Sequence, residues 1–385
     1  MPAVFTVRLF GITTKEPRRI FPYLRGFCEN QDGKQSVKTD TPFFKTGGNM
    51  KQRTVYFDML NIFSAFAVIM LHCNGIAHTY SDTLAWKQAM AAETLFYFAV
   101  PVFFMLSGAT LMRYRDKYDT KTFFKKRALR TLIPFIVWTL VFAAQKRIFP
   151  WDIGWREFIS RCFNTSIENV YWFFIPLFSV YLAMPILSLL ADKRKTLWYA
   201  VGAGFILTSV CPFLFRVLKI KWNYNLTLPA LGGFLLFTVL GYLLSTEELS
   251  KKKRYIIYLL GILSAFLRYF GTWFLSARDG QINKFFFGYL DFHSVFLAAA
   301  VFVFFKYLPL SKKIAESKNG VKILSELSAL SFGVYLIHMF IYRGYLKVFT
   351  VPCWQLRLLL PFLIYATAAL CVYIIRKIPI LRHIV

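Results

Sequence analysis

Ten predominantly apolar runs of about twenty residues divide this chain, at roughly 55–78, 91–112, 130–148, 170–191, 197–216, 228–245, 255–275, 286–305, 326–347 and 356–375. A helix of about 20 residues crosses the roughly 30 Å of bilayer hydrocarbon. The runs therefore predict an all-α polytopic membrane protein with about ten transmembrane helices. Composition agrees, with 57% apolar and 17% charged residues, against about 45–50% and about 25% in soluble domains. A soluble core could not hide 43 phenylalanines from water. A cytosolic enzyme, a disordered chain and a small disulfide scaffold are all excluded. Cys28, Cys73, Cys162, Cys211, Cys353 and Cys371 show no CxxC and no metal-ligand spacing, so no metal site is expected.

A net charge of +28 on a soluble protein would suggest nucleic acid. Here the basic residues fall between the apolar runs, and 33 of the 47 lie in residues 1–54, 113–130, 192–195, 246–254, 306–322 and 376–385. By the positive-inside rule those segments and both termini are cytoplasmic, in a multi-pass bacterial inner or plasma membrane. Residues 1–54 are polar, without helical periodicity or a signal-peptide core. Gly47-Gly48-Asn49 before Met50 would be encoded by a purine-rich stretch able to hide a ribosome-binding site, which predicts that translation starts at Met50. Residues 55–376 then form the transmembrane domain and 377–385 a short basic tail. The external loop 146–169 carries Phe149, Trp151, Trp155 and Phe158 among charges, suited to headgroup anchoring or to stacking on a sugar.

Charge near a bilayer centre costs about 2.5–3.5 kcal/mol on insertion scales, so each polar residue in a span needs a partner or a purpose. In the first span Asp58, Asn61, Ser64 and His72 fall close to one helical stripe. Asn61 and His72 share a face about 16 Å apart. His72 lies about 25 Å from the cytoplasmic end, and imidazole is the side chain suited to accept and return a proton near neutral pH. Arg268, Asp291 and His293 lie in the outer parts of their spans, and Ser331, Tyr335 and His338 form an i, i+4, i+7 stripe. Four helices are thus expected to converge on one middle-to-outer cavity.

On the cytoplasmic side Arg127 and Arg130 are spaced i, i+3. They serve either topology and lipid headgroups or a phosphate clamp built from guanidinium forks. Ser107-Gly108 in the second span allows close backbone approach.

Five segments in order, YFDMLNIFSAFAVIMLH (56–72), VPVFFMLSG (100–108), KKRALRTLIPF (125–135), VYWFFIPLFSVYLAMPIL (170–187) and SFGVYLIH (331–338), resemble the acyltransferase 3 family. Within it the chain is most similar to the integral-membrane O-acyltransferases of surface polysaccharides. The resemblance runs from about Val55 to the C-terminus. It implies transfer of an acyl group, commonly acetyl, from cytoplasmic acyl-CoA to a hydroxyl of a cell-envelope glycan or lipid-linked sugar. It also implies His72 as the catalytic residue, Arg127 and Arg130 in handling the donor, and Ser107 and Gly108 as the family's SG pair. Acyl-CoA is then a co-substrate, with no permanently bound cofactor and no nucleic-acid partner. The family usually has Arg or Lys where this chain has Asn61, so that charge must come from another residue. Arg268 and His338 are candidates for stabilising negative charge, and Asp291 or Glu93 for fixing the imidazole tautomer. The rival is a secondary transporter or glycolipid flippase, which shares the polar midplane cavity but needs no Arg127/Arg130 pair.

Overall fold

In a computed structural model, the structure describes residues 54–226, 232–348, 354–379 and 381–385, with side chains throughout except at 354–356. The expectations for residues 1–53, including the start at Met50, lie outside the described residues. All regular structure among the described residues is helical.

The helices are α1 (Val55–Cys73), α2 (Leu84–Phe96), α3 (Ala99–Leu111), α4 (Thr120–Gln145), α5 (Trp155–Phe163), α6 (Asn169–Leu190), α7 (Arg194–Val217), α8 (Leu235–Thr246), α9 (Lys251–Asp279), α10 (Phe292–Tyr307), α11 (Pro309–Glu316), α12 (Lys318–Leu346) and α13 (Trp354–Lys377). Eight helical segments among the described residues are long and apolar enough to cross a membrane, α2 and α3 counting as one, and α10 with α11 is a ninth span bent by 41°. The remaining run, the sixth (228–245), yields only the 12-residue α8 among the described residues, about 18 Å long. It compensates by burial, since every residue from Leu236 to Leu244 is covered by protein.

The side chains of α9 explain why this is a membrane fold. Gly261, Ser264, Arg268, Thr272 and Ser276 face inward, while Leu259, Ile262, Phe266, Phe270 and Phe274 are exposed. A water-soluble helix has the opposite arrangement. In lipid the apolar face is the solvated one, and the small and polar residues are the ones that can pack or hydrogen-bond within the bundle. The loop before α6 behaves as an interfacial segment. Trp151 and Trp155 are 74% and 68% exposed, as are Ile159 and Phe163 on the same side of α5, whereas Phe158 turns inward.

Two glycines set the closest helix contact. A Cβ on Gly108 of α3 would stand 1.7 Å from the Thr238 carbonyl oxygen of α8, and one on Gly241 of α8 would stand 2.2 Å from the Met105 carbonyl oxygen of α3. The backbones touch reciprocally, as the Ser107-Gly108 pair suggested. Ser107 bonds back to its own helix, Oγ to the Phe103 carbonyl at 3.0 Å. Pro101, in the first turn of α3, lacks a backbone donor, and the helical hydrogen bonding breaks at Tyr97 and Phe98 although their backbone stays right-handed. That break is where Tyr97 enters the site described below.

Gly108→Ala and Gly241→Ala should each lower the thermal midpoint in detergent, by the roughly 1–3 kcal/mol typical of overpacking. Gly202→Ala on α7, where a Cβ meets nothing within 4 Å, should leave it unchanged.

Candidate active site

Helices α1 and α12 lie in parallel register. Asn61 Nδ2 donates to the Ser328 carbonyl at 2.9 Å and Oγ at 3.1 Å. Eleven residues on, His72 stacks on His338, with ring centroids 5.3 Å apart and planes 29° apart. The buried His338 donates from Nδ1 to the Tyr335 carbonyl at 2.6 Å, which fixes its tautomer. Its Nε2 is then an acceptor without a hydrogen-bond partner among the described residues. His72, in the last turn of α1, faces a cavity of about 310 Å³ with both ring nitrogens uncommitted.

The cavity opens at the end of the bundle where α1 finishes. Besides His72 and Tyr335, its walls include His78, Glu93, Tyr97, Trp172, Lys284 and Tyr289. One wall is a stack. Tyr289 lies parallel to Tyr97 at 4.1 Å and next to Trp172 at 5.4 Å. The Arg268 guanidinium sits 3.3 Å from the Tyr97 ring centroid. Arg268 is itself buried, donating to the Phe286 carbonyl and lying 3.5 Å from Glu93 Oε1. The Tyr97 hydroxyl donates to the Phe287 carbonyl. A buried charge pair of this kind persists because its hydrogen bonds and the aromatic face replace water. His78, on the short turn after α1, is held below the usual imidazole pKa by burial and then by Lys284 and Arg268. It is therefore largely neutral at pH 7.

The residues singled out in the sequence divide into three groups. His72 and Tyr335 line the cavity and His338 packs against His72, with the Tyr335 hydroxyl bonded to the Val170 carbonyl. Arg268 reaches it only through Glu93 and Tyr97, so its expected role at a developing negative charge is corrected to support of the wall. Asp291 and His293 form a cluster of their own. Asp291 Oδ1 accepts from Arg216 at 2.7 Å, and its Oδ2 lies 3.5 Å from His293 Nε2. The physical reason is position: Asp291 precedes the first turn of α10, where Arg216 at the end of α7 can reach it. Neither Asp291 nor Glu93 holds the His72 imidazole. Asp58, buried on α1, is about 21 Å along the helix from His72, and Asn61 is tied to Ser328. The two belong to helix packing.

Arg127 immediately precedes the π-helical stretch Ala128–Leu132, and Arg130 lies within it. The wider turn separates their faces. Arg127 is half-buried, stacked near Phe123 and Tyr181 at 5.8 and 5.7 Å, with its Nε unpartnered. Arg130 is exposed.

Sequence reasoning missed an ion triad beside the histidines, in which the buried Glu168 meets two partly exposed cations. Glu168 lies 2.7 Å from Arg343 and 3.2 Å from Lys146. Arg343 inside an apolar run was the available signal. The aromatic wall of Tyr97, Trp172 and Tyr289 carried none, because aromatic residues are common in every span.

A family model described as an acyltransferase domain matches residues 54–376. The chain belongs to the acyltransferase 3 family. This multi-pass membrane protein is thus an acyltransferase that transfers groups other than aminoacyl. No curated protein and no solved structure matches the chain. Among the described residues of the acyltransferase there is no cluster of metal-ligating side chains.

Arg343→Leu should leave Glu168 with Lys146 alone and destabilise the acyltransferase by about 1.5–3 kcal/mol, as loss of a hydrogen bond to a charged group does. The Glu168→Gln, Arg343→Gln double variant should recover most of that loss in thermal unfolding. For His78, Lys284→Ala removes a lowering charge, so the imidazole titration followed by NMR should move upward in pH.

Proposed function

We propose that this acyltransferase moves an acyl group, acetyl in the simplest case, from cytoplasmic acyl-CoA to a hydroxyl of a cell-envelope polysaccharide or lipid-linked sugar. The observation that carries the reading is His72, uncommitted at both nitrogens, facing a cavity at the far end of α1 with His338 packed behind it. As general base His72 takes the proton of the acceptor hydroxyl while the oxygen attacks the thioester carbonyl. The tetrahedral intermediate collapses, the C–S bond breaks, and the imidazolium returns the proton to the departing CoA thiolate. No net proton is gained or lost. His338 holds the His72 ring in place.

Arg127 and Arg130 are the donor-side residues in this proposal. A half-buried guanidinium with an unpartnered Nε, beside an exposed second arginine, suits the phosphates of CoA. The basic loops support a cytoplasmic location for that end. Lys251–Arg254 opens α9 with four positive charges, against the helix dipole, and membrane sidedness accounts for keeping them there. The soluble donor is then taken up on one side and the acceptor enters from the outer leaflet, so the CoA itself never crosses.

With membranes given acyl-labelled acetyl-CoA, label should enter lipid-linked or surface glycan. The His72→Ala variant at matched abundance and thermal midpoint should lose about 10²–10⁴-fold of that transfer, as loss of a general base does. Arg127→Ala should raise the KM for acetyl-CoA. Transfer unchanged in His72→Ala would overturn the assignment.

A further inference from the structure

Glu93 has an atom that the protein leaves unanswered. The residue is 3% exposed, its Oε1 faces Arg268, and its Oε2 has no hydrogen-bond partner among the described residues. Buried carboxylate oxygens in this state are rare, because an acceptor cut off from water and left unmatched is costly. Glu93 lines the cavity, and Oε2 is directed toward His78 Nε2, 3.9 Å away. That gap is too wide for a hydrogen bond. It is right for one oxygen between them, since a hydroxyl can stand about 2.8 Å from both atoms, donating to Oε2 and accepting from a protonated Nε2.

The surroundings narrow what carries that hydroxyl. Arg268 already balances the Glu93 charge, and Lys284 adds a further positive charge to the cavity lining, which disfavours a cationic ligand. Tyr97, Tyr289 and Trp172 form a continuous stack along one wall, with Arg268 fixing its far end. Within the stack Tyr97 is covered by Tyr289 and Arg268, and Tyr289 by Tyr97 and Trp172, so Trp172 at its end is the ring placed to meet the C–H face of a sugar, apolar over its surface and polar at its rim. The cavity, about 310 Å³, is at the small end of ligand pockets. It suits a single sugar residue, with the remaining glycan outside.

We infer that the cavity is the acceptor subsite for one pyranose residue, held by the Trp172–Tyr289–Tyr97 wall and by a ring hydroxyl bridging Glu93 and His78. The inference rests on the O-acyl-transfer reading for its biological meaning but concerns binding alone. Glu93 and His78 are binding residues here, and His72 keeps the chemistry.

The test is ligand-observed saturation-transfer NMR on the full chain in detergent. The probes are methyl glucoside, galactoside, mannoside and N-acetylglucosaminide, with cyclohexyl methyl ether as a ring without ring hydroxyls. At least one pyranoside should receive saturation at its ring C–H protons and the ether should not. Glu93→Gln and Trp172→Ala should each weaken that binding about tenfold, as expected for loss of a charge-assisted hydrogen bond or of a stacking face. Gly202→Ala on α7, where a Cβ meets nothing within 4 Å, should leave it intact. Thermal midpoints separate binding loss from misfolding, and if one variant fails to fold the other decides. No saturation of any pyranoside, or binding indifferent to the folded variants, overturns the subsite even where label transfer succeeds. Pyranoside binding as expected without label transfer instead overturns the O-acyl-transfer reading.

Discussion

Everything at the candidate site depends on the parallel packing of α1 against α12. Asn61 clasps Ser328 near one end of the contact, and the shared helical rise then carries His72 to His338 at the other. A helix pair in lipid gains little from the hydrophobic effect, so a few polar contacts and close packing set its register. A register error of a single turn would move His72 about 5 Å and separate the two rings.

The second constraint is how the bundle accommodates charge. Buried carboxylates Glu93 and Glu168 each meet a guanidinium from a distant helix, Arg268 and Arg343. Both pairs lie toward the end of the bundle that holds the cavity. Each closes a gap between helices that have few polar residues to offer. Close approach of α3 and α8 through Gly108 and Gly241 completes the frame, letting the short α8 act as a buried post rather than a lipid-facing span.

Much of this was legible in the chain. The apolar runs, the stripe that carries His72 on the first span and the Ser331, Tyr335 and His338 stripe on the ninth all follow from helical periodicity, which is local. The close approach at Gly108 was visible for the same reason. Asp291 and His293 were misread because depth along a span says nothing about which neighbour a side chain meets. Arg216, far away in sequence, captures Asp291 at the start of α10. The π-helical stretch that follows Arg127 and contains Arg130 was equally hidden, since spacing assumes a regular turn.

The sequence by itself determined that the chain crosses a membrane many times and that an imidazole lies deep in the first span, because hydrocarbon thickness and helical rise leave few alternatives. The resemblance of its ordered segments pointed to the acyltransferase 3 family, which the match over residues 54–376 establishes. Only the tertiary structure decided which polar groups meet. It separated the cavity of His72, Glu93 and the aromatic wall from the Asp291–His293 cluster, and it left Glu93 Oε2 facing a gap. Such partnerships join residues as much as 267 positions apart, and helix-to-helix geometry, rather than local pattern, fixes them.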